Sequence, residues 1–205
     1  MPDTPPKTEL VCLIDRSGSM QSTREDAQGG FNQFISDQKK LGLPCKVTLH
    51  QFDNYFETVW ERQNLVNVGE YVLKPRGGTA LLDALGRTIN MMSPKPDRNV
   101  IVVVVTDGGE NASCEFSLAQ IKSMVEAKQA LDWSFVFIGA GIDAFAHGAT
   151  LGFHSASTMA VADSSFGYRT AYAGLSNTVT RSRLAGTAAE FNEEEIDLAE
   201  STKKS

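Results

Sequence analysis

The chain reads as an α/β protein: a doubly wound, mostly parallel sheet with one antiparallel edge hairpin and helices on both faces. Apolar runs without polar alternation at 9–14 and 100–105 have the pattern of strands buried on both sides. Stretches with apolar residues at helical spacing lie between them, and strands alternating with helices imply parallel pairing through crossover connections. The first strand, 9–14, ends at Asp15. A helix over about 22–40 follows, opened by a capping-box pattern from Ser22 to Glu25, carried by Phe31, Phe34, Ile35 and Leu41, and stopped by Gly42 and Pro44. Residues 46–52 and 55–60 are rich in β formers, and the two-residue linker Asp53-Asn54 makes them an edge hairpin. Leu81, Leu82, Leu85, Ile89 and Met92 share one face of a helix over 80–92, which Pro94 and Pro96 end. The valine-rich segment 99–106 is the central strand. Ser117 and Gln120 form a second capping-box pattern for a helix to about Ala130, and a strand follows over 133–138. Beyond Gly141 the expected elements are a short helix (143–151), an edge strand (157–161) and a longer helix (166–184). The resulting organisation is a disordered start (1–8), one domain (9–185) and a mobile acidic tail (186–205), because Glu193, Glu194 and Glu195 leave the tail few apolar anchors.

Composition narrows the function. The 205 residues carry 19 Lys and Arg against 25 Asp and Glu, a net charge of −6, and no basic run offsets it, so a nucleic-acid partner is not expected. No apolar stretch approaches the ~18 residues of a membrane span, and the first residues lack signal-peptide character, from which a cytoplasmic location is expected. Cys12, Cys45 and Cys114 show no metal-ligand spacing and read as reduced thiols.

Two segments, Asp15-Arg16-Ser17-Gly18-Ser19-Met20 and Thr106-Asp107-Gly108-Gly109-Glu110-Asn111, each close a buried strand, and Gly77-Gly78-Thr79 lies between them. In an open α/β sheet ligands bind beyond the carboxyl ends of the strands where the strand order reverses. If the hairpin, the first strand and the valine-rich strand lie side by side in that order, the reversal falls between Asp15 and Asp107. Thr79 leads into the intervening helix and reaches the same point, as do the hydroxyls of Ser17 and Ser19. Two carboxylates and three hydroxyls make an all-oxygen donor set suited to a hard divalent cation and less suited to zinc or copper.

Asp15-x-Ser17-x-Ser19, Thr79 of the Gly-Gly-Thr segment and Asp107 of Thr-Asp-Gly resemble the metal-ion-dependent adhesion site of the von Willebrand factor type A (vWA) domain family, over roughly residues 9–161. The resemblance implies a Rossmann-like sheet with Mg2+ or Mn2+ held by Asp15, Ser17, Ser19, Thr79 and Asp107, the serines directly and the others directly or through water. It implies a non-enzymatic protein-interaction module of stand-alone prokaryotic or phage type that captures an acidic residue of a protein partner. AAA-type ATPases are among the partners the family implies, and neither nucleic acid nor membrane is.

Competing readings attach to other residues. Two aspartates and a divalent ion could serve a phosphoester hydrolase, but no convincing general base accompanies them. The segment from Gly139 to Ala144, with Asp163 about twenty residues on, fits a dinucleotide-binding fingerprint at an unusual place late in the sheet. Glu110 reads as a solvated loop glutamate in preference to an outer support of the metal ligands or a partner for a basic residue, and Arg16 as a solvent-facing arginine in preference to a contact for the partner protein. His50, His147 and His154 are scattered with no nucleophile at a telling spacing, and Cys114 has no activating base.

Overall fold

The computed structural model describes residues 6–93 and 97–203. Six strands form one sheet: β1 (Lys7–Asp15), β2 (Cys45–Phe52), β3 (Phe56–Asn64), β4 (Arg98–Thr106), β5 (Ser134–Ala140) and β6 (Thr158–Val161). Their order is β3-β2-β1-β4-β5-β6, parallel throughout except for the β2–β3 pair. The helices are α1 (Arg24–Lys40), α2 (Leu81–Met91), α3 (Leu118–Gln129), α4 (Ala144–Thr150), α5 (Ser165–Ala185) and α6 (Glu193–Thr202).

The apolar runs supply both faces at once, because alternate side chains of a strand point opposite ways. Leu10, Cys12 and Ile14 of β1 and Ile101, Val103 and Val105 of β4 pack toward α1, α5 and α6. Val11, Leu13, Val100, Val102 and Val104 pack toward α2 and α3. The chain leaves β1 toward β2 on one side and reaches β4 on the other, so the strand order reverses between β1 and β4. The ends of both strands, Asp15 and Thr106, meet there through a side-chain hydrogen bond.

Local details differ from the sequence reading at four places. The Ser22–Glu25 capping box does not form: Ser22 Oγ donates to Ser19 O, helix α1 begins at Arg24, and the Thr23 hydroxyl turns away to donate to Asp163 Oδ1 at 3.2 Å. The second capping box, Ser117 with Gln120, is present. The hairpin turn has three residues, since Tyr55 N–H donates to Asp53 Oδ1 (2.6 Å) and Asp53 N–H to Tyr55 O (3.0 Å), closing the turn on itself. The third difference is the segment assigned to a mobile tail. Residues 191–202 are packed: Asn192 and Glu195 form a capping box, and Glu195 receives both Arg181 Nη atoms at 2.8 Å and the Thr178 hydroxyl at 3.1 Å. Phe191, Ala199 and Thr202 are buried, and Thr202 Oγ1 accepts the Ala162 N–H. Its anchors are a carboxylate and a hydroxyl that find buried partners, so an apolar count overlooks them. At the other end, β1 already includes Lys7 and Thr8 of the expected N-terminal tail, while residues 1–5, Pro94, Pro96 and residues 204–205 lie outside the described residues.

Candidate metal centre

Asp15, the last residue of β1, is fully buried and fixed at both oxygens: Oδ1 accepts Ser17 N–H and Oδ2 accepts the Thr106 hydroxyl, each at 2.6 Å. The following loop coils into a single 3-10 turn over Gly18–Gln21, anchored by buried Met20, so that Ser17 Oγ and Ser19 Oγ lie 2.9 Å apart. Ser19 Oγ donates to Asp107 Oδ1 at 2.6 Å across from the end of β4. Thr79, just before α2, is buried, and its backbone is held by Asn111: Asn111 Oδ1 accepts Thr79 N–H at 2.9 Å while Asn111 N–H donates to Thr79 O at 3.0 Å. Gly108 locates the meeting point. A carbon placed on its Cα in the side-chain direction would stand 3.0 Å from Thr79 Oγ1, 3.4 Å from Ser19 Oγ and 3.8 Å from Asp15 Oδ2. The five residues singled out in the sequence therefore converge from three separate segments.

The donor chemistry fits a divalent cation. Asp107 Oδ2 is buried without any hydrogen-bond partner, an arrangement that is costly unless a cation faces the oxygen. Burial pushes the Asp107 carboxyl up to about 6 against the pull of the Ser19 hydroxyl, and the charges of Asp15 and Asp163 raise it further. Burial also raises Asp15, while hydrogen bonds from Thr106 and Ser17 oppose the shift. Two desolvated carboxylates that repel one another are what a nearby cation relieves. Among the described residues no group of three or more His, Cys, Asp or Glu side chains is arranged to hold a metal, so hydroxyls must complete any donor set here.

Several neighbours of the site escaped the sequence reading. Glu110 is a structural organiser: Oε1 accepts Ala112 N–H (2.9 Å) and Ser113 N–H (2.7 Å), and Oε2 accepts Leu82 N–H (2.9 Å) and the Ser113 hydroxyl (2.7 Å). It binds the post-β4 loop to the start of α2, and the solvated reading does not hold. Asp83, the next residue of α2, does the same, accepting Cys114, Glu115 and Phe116 N–H groups. Burial opposes its charge, but those three donors hold its carboxyl below the usual range. Arg16 is buried, not solvent-facing: it is ion-paired to Asp53 and Glu57. The adjacent carboxylate of Asp83 raises the Cys114 thiol, the opposite of activation. His50 is buried against Phe56, and burial alone pulls it down to about 4. His147 bonds Asp143 O through Nδ1, and His154 is exposed.

The late glycine-rich turn is filled. A side-chain carbon on Gly139 would overlap Ala144, and one on Gly141 would overlap Asp163, whose carboxylate repels phosphate. The glycines of this turn serve close packing against α4 and Asp163.

No family model matches the sequence, and no curated protein does. Solved structures match most of it. The von Willebrand factor domain of the type V pili tip protein Mfa5 from Porphyromonas gingivalis has a TM-score of 0.68 at 10% identity, covering 88% of this chain and 97% of that one. Proximal thread matrix protein 1 from the mussel byssus, with a zinc-occupied MIDAS motif, gives 0.64 at 15% identity over 83% of this chain and 47% of its own. The ArnB paralog VWA2 from Sulfolobus acidocaldarius gives 0.63 at 17% identity, with 85% and 46% covered. This chain spans about half the length of the latter two. Its structural neighbours are vWA domains, and at these identities the likeness establishes the fold: a Rossmann-like α/β vWA fold.

Proposed function

We propose that this chain is a divalent-metal-dependent protein-interaction module in which Asp15, Ser17, Ser19, Thr79 and Asp107 hold Mg2+ or Mn2+. The observation that carries the reading is the convergence of five oxygen-bearing residues, Asp15, Ser19 and Thr79 facing Gly108 and Ser17 and Asp107 bonded to Ser19, with Asp107 Oδ2 buried and unpartnered. A cation bound there supplies Lewis acidity, which a carboxylate from outside the chain can satisfy. Three neutral hydroxyls withdraw less of that acidity than three more carboxylates would. The partner is accordingly a protein presenting an Asp or Glu side chain, with AAA-type ATPases and other cytoplasmic assemblies as the class to search.

The neighbouring structures support a binding role, being a pilus tip domain and a byssal matrix protein. The mussel protein's motif holds zinc, and Mg2+ or Mn2+ is proposed here on the all-oxygen donor set of this chain.

The test is capture from a lysate by the immobilised chain in Mg2+ and in EDTA, with Asp107→Ala alongside and the captured protein's acidic residues then replaced. Capture that needs the ion, Asp107 and one partner carboxylate supports the reading. Capture unchanged in EDTA and in the variant places the interface elsewhere. Metal-dependent phosphoester turnover lost in Asp15→Ala would replace it with an enzyme.

A further inference from the structure

The turn between β2 and β3 contains a buried carboxylate that the metal reading leaves without a role. Asp53 is 1% exposed, and its Oδ2 takes a guanidinium from each of two ligand loops: Arg16 Nε at 3.0 Å and Arg76 Nε at 2.6 Å. Arg16 lies between Asp15 and Ser17, and Arg76 immediately precedes Gly77-Gly78-Thr79. Asp53 Oδ1 accepts Tyr55 N–H, which fixes the carboxylate in its own turn, and Asp53 O accepts Ala80 N–H at 3.1 Å. Beside it the loops are joined backbone to backbone: Arg76 N–H donates to Arg16 O (2.7 Å), Gly18 N–H to Gly77 O (3.0 Å) and Arg16 N–H to Phe52 O (2.8 Å). None of these contacts uses a side chain of the proposed ligands. Gly77 turns at φ +70°, where a side chain would overlap Asn54, and Asn54 Oδ1 in turn accepts Gly78 N–H at 2.7 Å.

We propose that Asp53 is the positioning residue of the metal centre, fastening the Ser17/Ser19 loop and the Thr79 loop to one another so that their hydroxyls face a common point. Its importance for ion affinity rests on the metal reading; the fastening itself does not. The charge arrangement explains why this carboxylate and not its neighbour carries the role. Glu57 also touches both arginines, at 2.8 Å and 3.0 Å, but it is 46% exposed and solvent screens it. Asp53 and Arg16 are desolvated, and removing Asp53 leaves the buried guanidinium only the half-exposed Glu57 as counter-charge. Ligands held by such outer contacts need no reordering when the ion binds.

Amide hydrogen exchange on the full chain in EDTA, followed by Mn2+ titration calorimetry, tests this. In Asp53→Asn the amides of Gly18, Arg76 and Ala80 should exchange at least about tenfold faster than in wild type, and Mn2+ affinity should fall by roughly 10–100-fold. Arg76→Gln removes one arm of the clamp at a half-exposed position and keeps the test decisive if Asp53→Asn does not fold. It should speed the same amides and weaken Mn2+ while leaving the melting temperature within a few degrees, a split that a general loss of stability would not produce. Glu57→Gln is the comparison, and its effect should stay below about threefold because its charge is screened. Unchanged exchange at these amides in Arg76→Gln, or an equal effect of Glu57→Gln, overturns the assignment. If wild type takes up no Mn2+, the metal reading fails, and the exchange data still decide the clamp.

Discussion

Replacing Gly108 by alanine tests the metal centre with the smallest possible probe. The added methyl would stand 3.0 Å from Thr79 Oγ1, 3.4 Å from Ser19 Oγ and 3.8 Å from Asp15 Oδ2, among the oxygens that define the site. The backbone of Gly108 is not in the left-handed region, so alanine brings no conformational strain. Losing glycine's freedom in the unfolded chain stabilises by about 0.4–1 kcal/mol, and the tight contact with Thr79 costs a similar amount, so metal-free stability should move by less than about 1 kcal/mol. Ion binding should respond far more. With Mn2+ at about 1,000 times its dissociation constant, wild type gains about 4.1 kcal/mol, whereas a variant binding about 100-fold more weakly gains about 1.4 kcal/mol. At roughly 2–4 °C per kcal/mol for a chain of this size, the Mn2+-induced rise in melting temperature should shrink from about 8–16 °C to about 3–6 °C. Differential scanning calorimetry with and without Mn2+ reads both quantities on one sample. An undiminished shift in Gly108→Ala would refute the placement of the ion among these oxygens, because no ion sharing them could ignore the methyl.

Deleting residues 191–205 should lower the melting temperature by about 6–15 °C, from loss of the buried Phe191 side chain and the Arg181–Glu195 contacts; an unchanged value would mean that α6 adds nothing to the core. Adjacent glycines of α1 should respond with opposite signs: Gly29→Ala, facing open space, should stabilise by up to about 1 kcal/mol, while Gly30→Ala, whose methyl would overlap the Tyr172 ring, should destabilise by about 1–3 kcal/mol. Urea denaturation of the two variants checks this. His50, held near 4 by burial, binds fewer protons folded than unfolded between pH 6.5 and 4. Its contribution is therefore complete above about pH 6.5 and is lost as pH falls toward 4, up to about 3 kcal/mol in all. Wild type should lose stability relative to His50→Leu as pH falls through that window, and a constant difference would show that the histidine titrates normally.

The sheet and the convergence of Asp15, Ser17, Ser19, Thr79 and Asp107 were legible in the sequence because both depend on short-range pattern. A run such as Val100 to Val105 can be buried on both faces only in an inner strand, and the residues that close such strands are carried to one end of the sheet. That pattern alone puts Asp15 and Asp107 at the same end of the sheet, where Ser19 bridges to Asp107. The support around them was not legible, since it consists of partners far apart in sequence. Arg16 meets Asp53 and Glu57 across an intervening helix and strand, and nothing local distinguishes a buried arginine from an exposed one. Glu110 looked solvated because its four donors are backbone and serine groups of a loop whose path only the fold defines. The α6 segment failed for a related reason: its spacing at Phe191, Glu195, Ala199 and Thr202 is helical, but two of the four anchors are polar and count against burial until Arg181 and Ala162 are seen opposite them.

These hidden contacts bear on how the site would work. A donor set dominated by neutral hydroxyls holds a cation more weakly than a ring of carboxylates, and that weakness is what leaves acidity for an outside ligand. Serine and threonine hydroxyls on independent mobile loops would lose much of their small gain to ordering, because each fixed residue costs about 1–2 kcal/mol of backbone entropy. In this chain that ordering is met during folding. Asp53 joins the first and second ligand segments through two arginines, and Asn111 and Glu110 join the second to the third through Thr79 and Leu82. Every one of the three segments is thus tied to the next by contacts outside the donor set. Strong carboxylates in the second tier permit weak ligands in the first, and a domain built this way can hold an ion while reserving its charge for a partner.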